Sequence, residues 1–315
     1  MKAINTATVI ISVLVLAGTG CKQAGKGESS NGGLTLAAAR KNFHTRIVKT
    51  EGAQGEVETP PADMFSVVEY PSGIGKMPAY LSHVPDDGQL HPAMIWITGG
   101  FGNDIGDVWT PQEQDNDQSA AVIRHAGVVM MYPAQRGGNT SPGSDESCYG
   151  EVDDIIAAAD FLSKQKGIDP KRIYLGGHST GGTKAILVAE CSNKFRAVFS
   201  LGPAAAIADY GKEHFTFDES NKKEFELREP IRWLSSLSAP LYVFEGTAGN
   251  IDALKDMKDQ AIDQGNKLTH FYEVKDKDHF SEILPVTTLI AQKISADNKA
   301  GDVQIDFEQD VKGIR

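Results

Sequence analysis

"RIYLGGHSTGGTKAILVAEC" (residues 172–191) joins an apolar run to a helical pattern through a serine set among small residues. Within it, Gly177-His178-Ser179-Thr180-Gly181 places glycine two positions before and two positions after Ser179. A strand-to-helix turn tight enough to need small residues there lifts its apical side chain clear of the backbone. A serine hydroxyl needs that clearance, and a base beside it, before it can attack a carbonyl carbon. The helix start behind Ser179 also offers unpaired N–H groups, with the amide of Thr180 the natural first donor to a developing oxyanion. An ordinary glycine-rich loop has the same local look, so the rest of the chain has to decide between them.

Outward from this stretch, short apolar runs alternate with helical patterns. Strands are expected at residues 65–70, 78–84, 93–99, 127–133, 172–178, 196–202, 240–246 and 269–274, and helices at 151–165, 182–191, 251–264 and 280–294. Continuously apolar strands separated by helices read as a mainly parallel eight-stranded sheet covered by helices on both faces. The link "PSGIGKM" makes the first two strands an antiparallel hairpin. Residues 204–239 interrupt the rhythm as a short helical insertion after the sixth strand, long for a βα connection. The tail at 300–315 is open between an added edge strand and a loose end.

Composition narrows the functional classes. A hydrophobic share of 40% and a charged share of 23% suit one globular domain, placed here at residues 61–299. The formal net charge of −11, with no basic stripe, argues against a nucleic-acid partner. No cofactor is implied. The carboxylates Glu146, Glu151, Asp153 and Asp154 have no interleaved histidine, so they read as a solvated helix start rather than a metal site. Arg136 is expected to brace loops, with a substrate carboxylate as its other possible partner.

Residues 1–20 read as a signal peptide: Lys2, an apolar stretch at 7–18, then Gly18, Thr19 and Gly20 before Cys21. This resembles the bacterial lipoprotein signal. The resemblance implies a lipid on Cys21, a flexible tether over residues 21–60, and a place in the cell envelope facing the periplasm or the outside. Gly18 stands where leucine is usual, and a plain secretory signal is the other reading. Export would put Cys148 and Cys191 in an oxidising compartment, where they can be a disulfide or two buried thiols.

A second glycine-bearing loop, "WITGGFGNDIG" (residues 96–106), follows the third strand and lets main-chain amides approach a substrate, so Gly100 or Phe101 is the expected second oxyanion donor. The base should lie C-terminal to the serine. His279, in "KDKDHF" between the last strand and the last helix, fits that place, whereas His178, His214 and His270 fall in the turn, the insertion and a strand start.

Together "TGGF", "YPAQRGG", "GEVDDIIAAADFL", "GIDPKRIYLGGHSTGG" and "DHF" resemble the α/β-hydrolase family, and within it the prolyl-oligopeptidase and dienelactone-hydrolase-like branch. The resemblance covers about residues 65–296 and implies a serine hydrolase, an esterase or peptidase acting on small ester or peptide substrates. Ser179 corresponds to its nucleophile and His279 to its base. Two positions depart from the family. Thr98 replaces the histidine that often opens the oxyanion loop. Gly249 stands where an aspartate is usual, three residues after the glycine ending the seventh strand. Asp252 downstream and Glu245 upstream are the carboxylates left for that role, and a hydrolase fold kept for binding or envelope assembly, weak or inactive in catalysis, is the rival reading. An acyltransferase would use the same residues.

Overall fold

One eight-stranded sheet carries the molecule, and a computed structural model describes it over residues 33–50, 55–297, 303 and 305–314. The strands are β1 (Phe65–Ser72), β2 (Gly75–Ser82), β3 (His91–Ile97), β4 (Val129–Pro133), β5 (Ile168–His178), β6 (Val198–Leu201), β7 (Leu241–Gly246) and β8 (Thr269–Val274). Their spatial order is β1-β2-β4-β3-β5-β6-β7-β8. β1 and β2 form the expected hairpin, β2 runs antiparallel to β4, and every pair from β4 to β8 is parallel.

The helices are α1 (Leu36–Arg40), α2 (Ala121–His125), α3 (Glu151–Leu162), α4 (Thr180–Cys191), α5 (Lys222–Glu226), α6 (Pro230–Trp233), α7 (Ile251–Asp263) and α8 (Ile283–Ala296). Strand alternation sorts the core into two chemistries. Ile95, Leu175, Val198 and Val243 face one side, where α3, α4, α7 and the insertion cover them. Trp96, Tyr174, Phe199 and Phe244 face the other, under α2 and α8. Successive strand residues point to opposite faces, so a run that is apolar throughout needs both layers.

Two boundaries differ from expectation. The tether expected over residues 21–60 is partly packed: Leu36 is fully buried, Arg40 reaches Asp153 at 3.0 Å, and Arg46 N–H donates to Glu224 at 2.8 Å. Burying one leucine is worth roughly 1.5–3 kcal/mol, which a polar, glycine-rich composition does not reveal. The tail adds no strand among the described residues. It buries Phe307 against the rings of Phe199, Tyr242, Phe244 and Tyr272 instead. Cys148 and Cys191 are both free thiols. Cys148 is buried and lines a cavity, and Cys191 is half-buried at the end of α4. The signal sequence and Cys21 lie outside the described residues. No described helix is long and apolar enough to cross a membrane.

Candidate active site

Ser179 sits between β5 and α4 with φ 55° and ψ −119°, a conformation an L-residue holds only when its surroundings compel it. Here they do. Its N–H donates to the carbonyl of Leu201 on β6 at 2.8 Å, and its carbonyl accepts from Thr183 at 3.0 Å. The turn is also crowded: a Cβ on Gly181 would lie 2.1 Å from the carbonyl oxygen of Ile97, and one on Gly177 2.5 Å from the backbone of Gly181. The spacing of the two glycines is therefore a packing requirement, and its product is an outward-facing hydroxyl at the C-terminal edge of the sheet.

The loop after β3 meets this turn. Thr180 Oγ1 donates to the carbonyl of Gly100 at 2.5 Å, which turns that carbonyl toward α4 and leaves the following N–H, that of Phe101, directed the other way. No hydrogen bond among the described residues occupies the amides of Gly100 and Phe101. The amide of Thr180, first in its helix, has no helical acceptor. Thr98, in the place of the family's histidine, leaves these backbone donors available.

His279 lies between β8 and α8, in a turn that Asp278 fastens by accepting from the N–H groups of Phe280 and Ser281 at 3.0 and 2.8 Å. Those bonds hold the Asp278 carboxyl below its ordinary range, the Ser281 amide first among them. The imidazole packs over Gly202, where a Cβ would lie 2.5 Å from Cε1. Beneath it, the buried Glu245 places Oε2 3.5 Å from His279 Nδ1, an ion-pair distance, while its Oε1 accepts from the N–H of Gly246 at 3.0 Å. No hydrogen bond joins Ser179 Oγ to His279 among the described residues, a looseness common before substrate binds.

The carboxylate beside the histidine is thus Glu245, at the end of β7. Asp252 is exposed in the first turn of α7, where its charge suits the helix start and it has no place in the site. The glycine at 249 explains the exchange: a Cβ there would stand 2.1 Å from Glu245 Oε1 and 2.9 Å from the backbone nitrogen of His279. A side chain at 249 and the present position of Glu245 exclude each other.

The acidic cluster also corrects its expectation. Glu151 and Asp154 are wholly buried rather than solvated. Arg136 pairs with Asp154 at 2.9 Å and with Glu146 at 2.5 Å, so its guanidinium is engaged within the fold. Glu151 accepts from Asn103 at 2.9 Å, and Lys184 donates to the same asparagine at 2.6 Å. Arg136 is paired with two carboxylates, and Lys184 and one oxygen of Glu151 are hydrogen-bonded to Asn103, so this buried cluster braces the loop that follows Gly100. No group of His, Cys, Asp and Glu among the described residues is arranged to hold a metal ion.

Two further residues belong to the site, one inside the serine turn and one outside every motif. His178 is fully buried, and burial first, then the neighbouring His279, lowers its pKa to about 3, so it is neutral. Gln118, from the polar stretch before α2, contacts it at 3.0 Å. A cavity of about 30 Å³ lies beside the oxyanion loop, lined by Gly100, Phe101, Thr180, Lys184, Tyr210 and Phe215 among others.

Comparison with known proteins bears on the fold that carries this site. Residues 114–248 match the prolyl oligopeptidase family. An acylaminoacyl peptidase from Pyrococcus horikoshii superposes with a TM-score of 0.61 at 15% identity, over 78% of this chain and 44% of that one. An esterase from Pyrococcus furiosus gives 0.58 at 14% identity, over 78% of this chain and 97% of its own. The chain has the α/β-hydrolase fold. An uncharacterized Mycobacterium tuberculosis protein is 25% identical over 191 residues, 61% of this chain and 63% of that protein, so the match spans less than two thirds of the relative's length. The family match supports a hydrolase, and within the α/β-hydrolase fold the strand edge bearing Ser179 is where the loops converge.

Proposed function

We propose that this chain is an exported serine hydrolase that cleaves ester or amide bonds through an acyl-enzyme on Ser179. The observation that carries the reading is the forced backbone at Ser179, held at one sheet edge with His279 and the buried Glu245 behind it. His279 takes the proton of Ser179 Oγ as the oxygen bonds to the substrate carbonyl carbon. The amides of Thr180 and of Gly100 or Phe101 receive the negative oxygen of the tetrahedral intermediate. Collapse breaks the bond to the leaving alcohol or amine, which takes the proton from His279. A water molecule then loses its proton to His279 and attacks the acyl carbon, and the acid leaves as the proton returns to Ser179. Glu245 keeps the imidazole in the tautomer that presents a bare nitrogen to the serine and balances the imidazolium.

The rival of a non-catalytic binding protein drew its support from the missing aspartate, and Glu245 offsets that loss. A fluorophosphonate probe applied to the full chain tests the proposal. Wild type should label, and Ser179→Ala and His279→Ala should not. A folded wild type that resists labelling would sink the reading. The envelope location, with a lipid on Cys21, belongs to the same proposal. Incorporation of an alkyne-bearing fatty acid, lost in Cys21→Ala, is its expected sign.

A further inference from the structure

Gln118 stands where three segments of the site meet, and its hydrogen bonds admit only one assignment. The Nε2 atom of His178 lies 2.7 Å from the carbonyl oxygen of His279, so Nε2 carries the proton and donates. A neutral imidazole then has a bare Nδ1, which can only accept. Facing it at 3.0 Å is Nε2 of Gln118, whose amide donates. That orientation leaves Gln118 Oε1 toward the backbone N–H of Gly99, 3.1 Å away. Gln118 Oε1 also lies 3.2 Å from Nδ1, but a bare ring nitrogen can bond only the amide nitrogen of that pair, so the assignment follows from one fixed carbonyl.

The backbone of Gln118 is itself anchored, since its carbonyl accepts from the indole N–H of Trp96 at 2.9 Å, and Trp96 is buried in β3. The side chain therefore reaches from a fixed point to the oxyanion loop at Gly99 and to the serine turn at His178. Through His178 it reaches the main chain of His279. Space here is tight: a Cβ on Gly99 would lie 3.0 Å from His178 Nδ1 and 3.2 Å from Ser179 Cβ.

We infer that Gln118 is a positioning residue for catalysis, acting through His178 to hold the oxyanion loop, the serine turn and the His279 loop in register. The inference rests on the serine-hydrolase reading. Gln118 touches neither the nucleophile nor the substrate, so it acts on placement: displacements of an ångström at reacting groups cost roughly 100-fold in rate. Its loss should appear in kcat, with KM little changed. The neutral state of His178 fits this role, because a protonated ring would have no lone pair for the glutamine amide.

The test uses the full chain, with p-nitrophenyl acetate as substrate and a fluorophosphonate as active-site probe. Gln118→Leu removes the side-chain bonds to Gly99, His178 and Asn116. Gln118→Glu keeps an acceptor for Gly99 but has no N–H for the bare Nδ1 of His178. Both variants should lose roughly 10-fold to 100-fold in kcat and in labelling rate, with KM within about twofold. Nitrogen NMR of the His178 ring should show a protonated Nε2 and a bare Nδ1 in wild type, and a changed Nδ1 signal in Gln118→Glu. A folded Gln118→Leu that labels and turns over at the wild-type rate, or a His178 protonated at Nδ1 in wild type, would overturn the inference. Wild type that labels with neither variant affected defeats this inference alone. Wild type that does not label defeats the hydrolase reading, while the ring tautomer still reports on the network.

Discussion

In the proposed triad, Glu245 takes the role that the family resemblance gives to an aspartate at 249. A glutamate is a methylene longer than an aspartate, and from the end of β7 it reaches the histidine that an aspartate at 249 would otherwise meet. The exchange predicts a reciprocal pair of variants. Glu245→Gln should lower kcat by about 10²-fold to 10⁴-fold, since a neutral amide neither fixes the tautomer nor balances the imidazolium. Gly249→Asp alone should also lower activity, because its Cβ meets Glu245. Glu245→Ala with Gly249→Asp should recover part of the loss, and Asp252→Asn should leave kcat within about twofold. Steady-state kinetics on all four decide it, and a silent Glu245→Gln would remove Glu245 from the mechanism. Ser179 and His279 were legible because each occupies a marked place, a turn between glycines and the loop after the last strand. The carboxylate was legible only as two alternatives, since proximity in sequence says nothing about which way α7 turns Asp252. Gln118 had no signal at all: its distant partners come from β3, the loop after it and the serine turn, and only folding brings them together.

The insertion that follows β6 shows what an element contributes beyond covering the sheet. Its His214 ring stacks on Phe101 with centroids 3.4 Å apart, and Tyr210 meets the same phenylalanine edge-on at 5.6 Å. Phe101 is nonetheless 46% exposed, so it forms a wall between the oxyanion loop and solvent. The cavity behind that wall, about 30 Å³, has room for a group of roughly methyl size. Short acyl groups are therefore expected to be preferred. p-Nitrophenyl acetate should be turned over at least about 10-fold more efficiently than the octanoate ester, and Phe101→Ala should narrow that ratio by improving the octanoate value. An unchanged ratio in Phe101→Ala would mean that the acyl chain lies elsewhere. The insertion's existence and helical character were readable from the broken strand-helix rhythm. Its stacking on Phe101 was not, because neither ring belongs to a periodic pattern.

Across the whole molecule, the sheet was the most legible part, since each central strand must be apolar on both faces wherever it lies in the chain. Burial of charge was the least legible, because a glutamate on a helix reads as solvated until its neighbours are known. Glu190, near the end of α4, is fully buried with no hydrogen-bond partner for either oxygen among the described residues, and burial raises its carboxyl well above the ordinary 4.5. The folded state then holds a proton that the unfolded chain releases, so stability is present below about pH 4.5 and lost as pH rises through the folded value. His178 acts in the opposite sense. The unfolded ring takes a proton below about 6.5 and the folded ring only near 3, so stability is present above 6.5 and lost as pH falls toward 3. The two groups squeeze the stability maximum from both sides. Glu190→Gln, about ten residues along α4 from the serine, should relieve the alkaline side alone. Its Tm should exceed that of wild type by roughly 2–4 °C at pH 8 and by little at pH 4.5, with labelling of Ser179 unchanged. Calorimetry at the two pH values separates this from a general packing gain, which would shift both midpoints equally and refute a buried, proton-holding Glu190.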